Sequence, residues 1–273
     1  MFKSLLTFAT IAFIALGSLS GCSSGSQKSI DESKKIVIGT TIGDFGDMVK
    51  ESIIPQLEKK GYQVTLKEFS DYVLLNKVLA EKSIDINVFQ HRPYFYYFIK
   101  QQNLDLMELF EVPTAGLGIY SGKSSDLRTD KAEITIGIPN DPTNLARALL
   151  LLDDIGYISI SPETDRTLAT IKDIQTYHRP IKLLEIEAAQ LPRSRDDLDF
   201  AIINGNYARS SGIELTTALA QEKSKEYINI AAIRTQDKDS QWIKDVEEAY
   251  NSAEFKAYIR GKFKGYNLPK NWE

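Results

Sequence analysis

Apolar residues recur along this chain with two alternating periods. Lys35-Ile36-Val37-Ile38-Gly39 is a short apolar run between a charge and a glycine, which reads as a buried strand. From Asp44 to Lys60 the apolar positions return with helical spacing, and Gly61 just beyond them supplies a C-terminal stop. Tyr62 to Lys67 alternates apolar and polar residues, the period of a strand. The pattern then predicts a helix over Tyr72–Lys82, a strand at Ile84–Val88, a helix over Pro93–Gln102 and a strand at Leu106–Phe110. Strands alternating with helices argue for β-α-β units around parallel sheets.

Val112 to Tyr120 holds Pro113, Gly116 and Gly118 and reads as a crossing strand or hinge. Beyond it the pattern restarts. Glu133–Ile138 is a strand, and Asp141-Pro142 opens a helix running to about Asp154. An aspartate N-cap followed by proline at the first helical position is a strong start signal. Further strands are expected at Ile181–Glu187, Asp199–Ile203 and Tyr227–Ile233, and one amphipathic helix at Ser240–Lys262. Two such halves joined near residue 118 make an α/β protein of two lobes, residues 35–117 with 234–273 and residues 118–233. In sheets of this kind a ligand favours the crevice beyond the carboxyl ends of the strands.

The N-terminus belongs to neither lobe. Lys3 precedes an apolar run from Leu5 to Leu19, too short for a bilayer span of roughly 20 residues and built like a secretory signal. Its Leu19-Ser20-Gly21-Cys22 ending resembles a bacterial lipobox, which implies cleavage after residue 21 and a lipid on Cys22. Residues 22–34, rich in serine, then read as a flexible tether. The expected location is the extracytoplasmic face of the cell membrane, held there by lipid. Losing Lys3 takes the formal charge from −4 to −5, an acidic balance that gives no reason to bind nucleic acid.

Composition also narrows the chemistry. Cys22 is the only cysteine, and His91 and His178 are the only histidines, so thiol catalysis, zinc–thiolate sites and histidine-rich metal sites lack material. Gly116 and Gly122-Lys123-Ser124 invite a P-loop reading, but five residues separate the glycines where that motif needs four. Neither a Gly-x-Ser-x-Gly elbow nor a His-Glu-x-x-His pair occurs. Asp153-Asp154 and Asp196-Asp197 fit solvated faces and caps. No catalytic residue, metal or cofactor is expected.

Binding chemistry concentrates instead at the ends of predicted strands. The segments are Phe69-Ser70-Asp71-Tyr72, Phe89-Gln90-His91-Arg92-Pro93-Tyr94, Ile138 to Arg147 with its Asn140-Asp141-Pro142-Thr143-Asn144 run, Glu187 to Ser194 with Ala189-Gln190-Leu191-Pro192-Arg193-Ser194, and Ile203-Asn204-Gly205-Asn206-Tyr207. In order and spacing they resemble the NlpA/MetQ family of substrate-binding lipoproteins, from about residue 35 to the C-terminus. That resemblance implies a type II periplasmic-binding-protein fold with a hinge, methionine as ligand and an ABC importer's permease as partner.

A zwitterion buried between lobes needs a partner for each charge. A guanidinium fork matches a carboxylate bidentately, and Arg147 sits in an apolar helix among Ala146, Ala148 and Leu149. Taken alone, Arg147 also fits a surface position or a pair with a nearby carboxylate. Asn204 fits a turn before Gly205, and Asn229 fits a backbone bond in the hinge. Tyr72, Phe89, His91 and Tyr94 fit ordinary core packing. The resemblance implies that Arg147 takes the ligand carboxylate, that Asn144, Asn204 and Asn229 make polar contacts, and that the aromatic group forms the thioether pocket. His91 would act there as a neutral wall or donor. Two segments bordering the cleft depart from the family pattern, Gly39 to Asp47 and Pro113 to Gly118. They leave open L-methionine, D-methionine, a methionine dipeptide or another apolar amino acid. The rival readings on this scaffold are a surface enzyme or an adhesin.

Overall fold

The computed structural model describes residues 34–272, so the signal segment, Cys22 and the tether up to residue 33 lie outside the described residues. The chain opens with β1 (Lys35–Thr41), α1 (Asp44–Met48), a π-helical turn (Val49–Ile53), α2 (Ile54–Lys59), β2 (Gln63–Phe69), α3 (Val73–Ala80), β3 (Ile86–His91), α4 (Arg92–Gln102) and β4 (Leu106–Val112). It continues through β5 (Gly118–Ser121), β6 (Ile134–Pro139), α5 (Pro142–Asp154), β7 (Ile158–Ile160), β8 (Ile174–Tyr177), β9 (Ile181–Ile186), α6 (Leu191–Ser194) and β10 (Phe200–Ile203). Then follow α7 (Gly205–Ser210), β11 (Ala220–Gln221), β12 (Asn229–Arg234), α8 (Gln241–Asn251) and α9 (Ala253–Lys262).

Two five-stranded sheets define two lobes, in the strand orders β2-β1-β3-β12-β4 and β11-β5-β10-β6-β9. This is the bilobal type II arrangement. Each sheet is covered on both faces, as period-2 alternation requires of a central strand. In β12, Ile230 and Ala232 pack with Leu75, Phe89 and Phe95, while Ala231 and Ile233 pack with Val49, Phe110 and Phe255. In β10, Phe200 and Ile202 face Leu149 of α5, while Ala201 and Ile203 face Leu191 and Tyr207.

The structure corrects the sequence pattern in three places. The strand expected at Tyr227–Ile233 in the second lobe lies in the first sheet, antiparallel to both β3 and β4. The chain therefore returns to the first lobe through residues 222–228, before that strand rather than after it. The helix expected over Asp44–Lys60 passes through the π-helical turn just before Pro55, whose missing N–H and bulky ring disturb the preceding turn. The helix expected over Ser240–Lys262 breaks at Ser252, whose backbone is extended and whose side chain accepts from the N–H of Phe255. That serine starts a new helix, and the break brings the Tyr250 and Phe255 rings to 5.0 Å.

Candidate functional site

Residues 113–117 and 222–228 cross between the lobes, and the carboxyl ends of β1, β3, β6 and β10 face one another beside them. Between them lies a narrow cavity lined by residues of both lobes. Tyr72, Phe89, His91, Tyr94, Asn144, Arg147, Asn204 and Asn229, the whole set marked by the sequence, border this one space.

One wall is aromatic and comes from the first lobe. Phe89 lies near the end of β3 and Tyr94 in the first turn of α4, and their rings meet edge to face at 6.0 Å, with Tyr72 at 5.8 and 5.9 Å from them. Tyr72 also reaches across the cleft. Its ring lies 4.9 Å from Tyr207 of the second lobe, and its hydroxyl donates to Asn206 Oδ1 at 2.7 Å. Burial holds the Tyr72 hydroxyl well above its ordinary pKa, so it stays a donor.

His91 shows how closely the site is specified. Its Nδ1 accepts the N–H of Tyr94 at 3.1 Å, which leaves the proton on Nε2, 3.1 Å from Asn144 Oδ1. Burial first, and then the nearby Arg147 charge, lower its pKa to about 3, so the ring is neutral and donates.

The polar wall comes from the second lobe and converges on Asn144. Asp141 caps α5, accepting from the backbone N–H of Asn144 at 3.0 Å and from its side-chain amide at 3.0 Å. The Asn144 carbonyl is thereby turned inward. It accepts from His91, from Asn204 Nδ2 at 2.8 Å and from an Arg147 terminal nitrogen at 3.3 Å. Arg147 follows Asn144 by three residues and so shares its helix face. Burial works against its charge, but Glu222 more than offsets this and the Arg147 pKa stays raised. The two side chains form a bidentate ion pair through Arg147 Nε and one terminal nitrogen. The imidazole is neutral and the guanidinium is paired with Glu222, which suits a net-neutral zwitterion.

Two buried amide atoms in the cavity wall, Asn204 Oδ1 and Asn206 Nδ2, have no hydrogen-bond partner. A buried polar atom without a partner costs about 1–3 kcal/mol. One is an acceptor and one a donor, the pair of functions that an ammonium and a carboxylate would satisfy. Asn229 is tied to backbone instead. Its Nδ2 donates to the Phe89 carbonyl at 2.8 Å, fixing the aromatic wall from behind.

Sequence reasoning missed Asn206, although it stands in the quoted Asn204-Gly205-Asn206-Tyr207 run. It also missed Glu222 and Tyr227. The stretch Gln221-Glu222-Lys223-Ser224-Lys225 reads as a solvated connection, and no spacing rule places it beside Arg147.

The sequence profile described as NlpA lipoprotein matches residues 36–271. A D-methionine-binding lipoprotein MetQ of Yersinia pestis is 36% identical over 97% of this chain and 98% of that relative. The protein of the same name from Escherichia coli (strain K12) is 34% identical over 97% of this chain and 98% of its own length. Among solved structures, a nutrient binding protein from Burkholderia cenocepacia bound to methionine matches with a TM-score of 0.81 and 35% identity, covering 86% of this chain and 99% of that one.

Proposed function

Because this chain belongs to the NlpA lipoprotein family, we propose that it is a lipid-anchored extracytoplasmic binding protein that captures methionine or a close analogue and delivers it to an ABC importer. It binds and does not catalyse. The observation that carries the reading is the interlobe cavity bordered by an aromatic wall on one side and Arg147, Asn204 and Asn206 on the other. The names of the relatives, two D-methionine-binding lipoproteins and one structure bound to methionine, support the same ligand.

In this reading the ligand's carboxylate meets Arg147, its ammonium meets Asn204 Oδ1, and its side chain lies on Tyr72, Phe89 and Tyr94. A thioether against ring edges contributes roughly 0.3–1.5 kcal/mol per contact. His91 and Asn144 hold the polar wall in register, and Asn229 supports Phe89. Closure about the two crossing segments would bury the ligand. Residues 1–21 would be the signal, 22–34 the tether, and Cys22 the lipid attachment point; residues up to about 117 together with the chain from β12 onward would form one lobe and the residues between them the other.

The test is calorimetry on unfolded, dialysed and refolded protein against the twenty amino acids, D-methionine and methionine dipeptides. Saturable heat with methionine or one of these analogues is the expected result. No saturable heat with any of them would overturn the reading in favour of an adhesin.

A further inference from the structure

We infer that Glu222 is a positioning residue, which aims the arginine at the ligand by occupying the other edge of its guanidinium. The inference rests on the reading that Arg147 takes the ligand's carboxylate.

A guanidinium presents two bidentate edges, one formed by Nε with a terminal nitrogen and one by the two terminal nitrogens. The Glu222 carboxylate takes the first edge with both oxygens. The side chains are only 4% and 6% exposed, so water does not compete for that edge. Tyr227 covers the face of the guanidinium, with its ring centroid 4.8 Å from Cζ. The terminal edge is what remains. One of its nitrogens donates to Asn144 Oδ1 at 3.3 Å, and both side chains line the cavity. An incoming carboxylate therefore finds one edge of the arginine and one approach.

The brace is itself anchored. Glu222 Oε1 accepts the backbone N–H of Leu117 at 2.8 Å, and the Glu222 N–H donates to the Leu117 carbonyl at 3.0 Å. Glu222 is thus locked to the first crossing segment while belonging to the second, and Tyr227 lies five residues further along that second segment. The connection between the lobes sets the direction in which the arginine points. Glu222 also cancels the arginine's charge, so a zwitterion enters without leaving a buried net charge behind.

The decisive variant is Glu222→Gln, which keeps the shape and removes the carboxylate. Two readouts are taken: methionine affinity by calorimetry, and the orientation of Arg147 in crystals grown with and without methionine. The expected results are a loss of affinity of at least tenfold and a guanidinium rotated out of its present direction. Affinity within threefold of the parent would overturn the inference, and so would an affinity loss with Arg147 unmoved. A parent protein that takes up no methionine would overturn the proposed function instead, and the Arg147 direction in ligand-free Glu222→Gln crystals would still decide the role of Glu222. If Glu222→Gln does not fold, Tyr227→Leu is read the same way for affinity and for the direction of Arg147.

Discussion

A buried guanidinium needs partners for its N–H groups, and Arg147 draws them from Glu222 and Asn144, with Tyr227 on its face. Removing it therefore has two separable consequences. Arg147→Met is expected to weaken methionine binding at least a hundredfold and to lower stability by about 3–5 kcal/mol, because Glu222 is left buried and unpaired. The double variant Arg147→Met with Glu222→Gln is expected to recover most of the stability and none of the binding, read by urea unfolding and calorimetry.

Asp44 offers a second test at this scale. It is 1% exposed, its carboxylate accepts from the Tyr266 hydroxyl at 2.7 Å, and burial, outweighing that hydrogen bond, raises its pKa to about 6. The folded state holds the proton more tightly than the unfolded chain does, so stability from this group falls as pH rises from about 4 through 6. Two pKa units correspond to ~3 kcal/mol. Asp44→Asn is expected to gain on the parent by up to that amount between pH 4 and pH 7, measured by urea midpoints at each pH. A constant difference across that range would show that Asp44 does not titrate there.

Arg147 was legible in the sequence because an arginine inside an apolar helix demands a specific partner. Which partner was not legible. Glu222 is 75 residues away in the chain and sits in a stretch whose composition matches an ordinary solvated loop. The alternative of a pair with a nearby carboxylate turns out to describe one edge of the guanidinium.

At the scale of elements, starts were easier to read than breaks. Asp141-Pro142 opens α5 as its residue types require, because the cap and the fixed proline φ act locally. The break at Ser252 depends on whether a serine hydroxyl caps a new turn or faces water, which packing decides. The lobe assignment of β12 failed for a similar reason: an apolar run shows that a strand is buried, not which sheet buries it. Between elements, one tight approach is at the start of α7, where a Cβ on Gly205 would lie 2.4 Å from Ala115 Cβ and 2.5 Å from the Gly116 carbonyl oxygen. Backbone cannot retreat there as a flexible side chain would. Gly205→Ala is expected to cost about 1–3 kcal/mol of stability, as overpacking does, and to weaken ligand binding, since α7 carries Asn206 and follows Asn204. Unchanged thermal midpoint and affinity would contradict this placement of α7 against the crossing segment.

At the scale of the whole molecule, the lobes meet through a few specific contacts rather than a continuous core. Tyr72 touches Tyr207 and Asn206, His91 touches Asn144, and Gly43 approaches Ser210 so closely that a Cβ would lie 2.7 Å from the serine Cβ. Gly43 also holds φ at 106°, a conformation that glycine adopts at little cost. Contacts of this number and size suit lobes that part and rejoin about two crossing segments. In the proposed function a small zwitterion fills the space they enclose. The most direct measurement is a crystal structure of the protein grown with methionine. The expected result is density for one molecule in the interlobe cavity, with its carboxylate on the terminal edge of Arg147, its ammonium at Asn204 Oδ1 and its sulfur against Tyr72, Phe89 and Tyr94. An empty cavity at saturating methionine, or a ligand whose carboxylate lies away from Arg147, would contradict it.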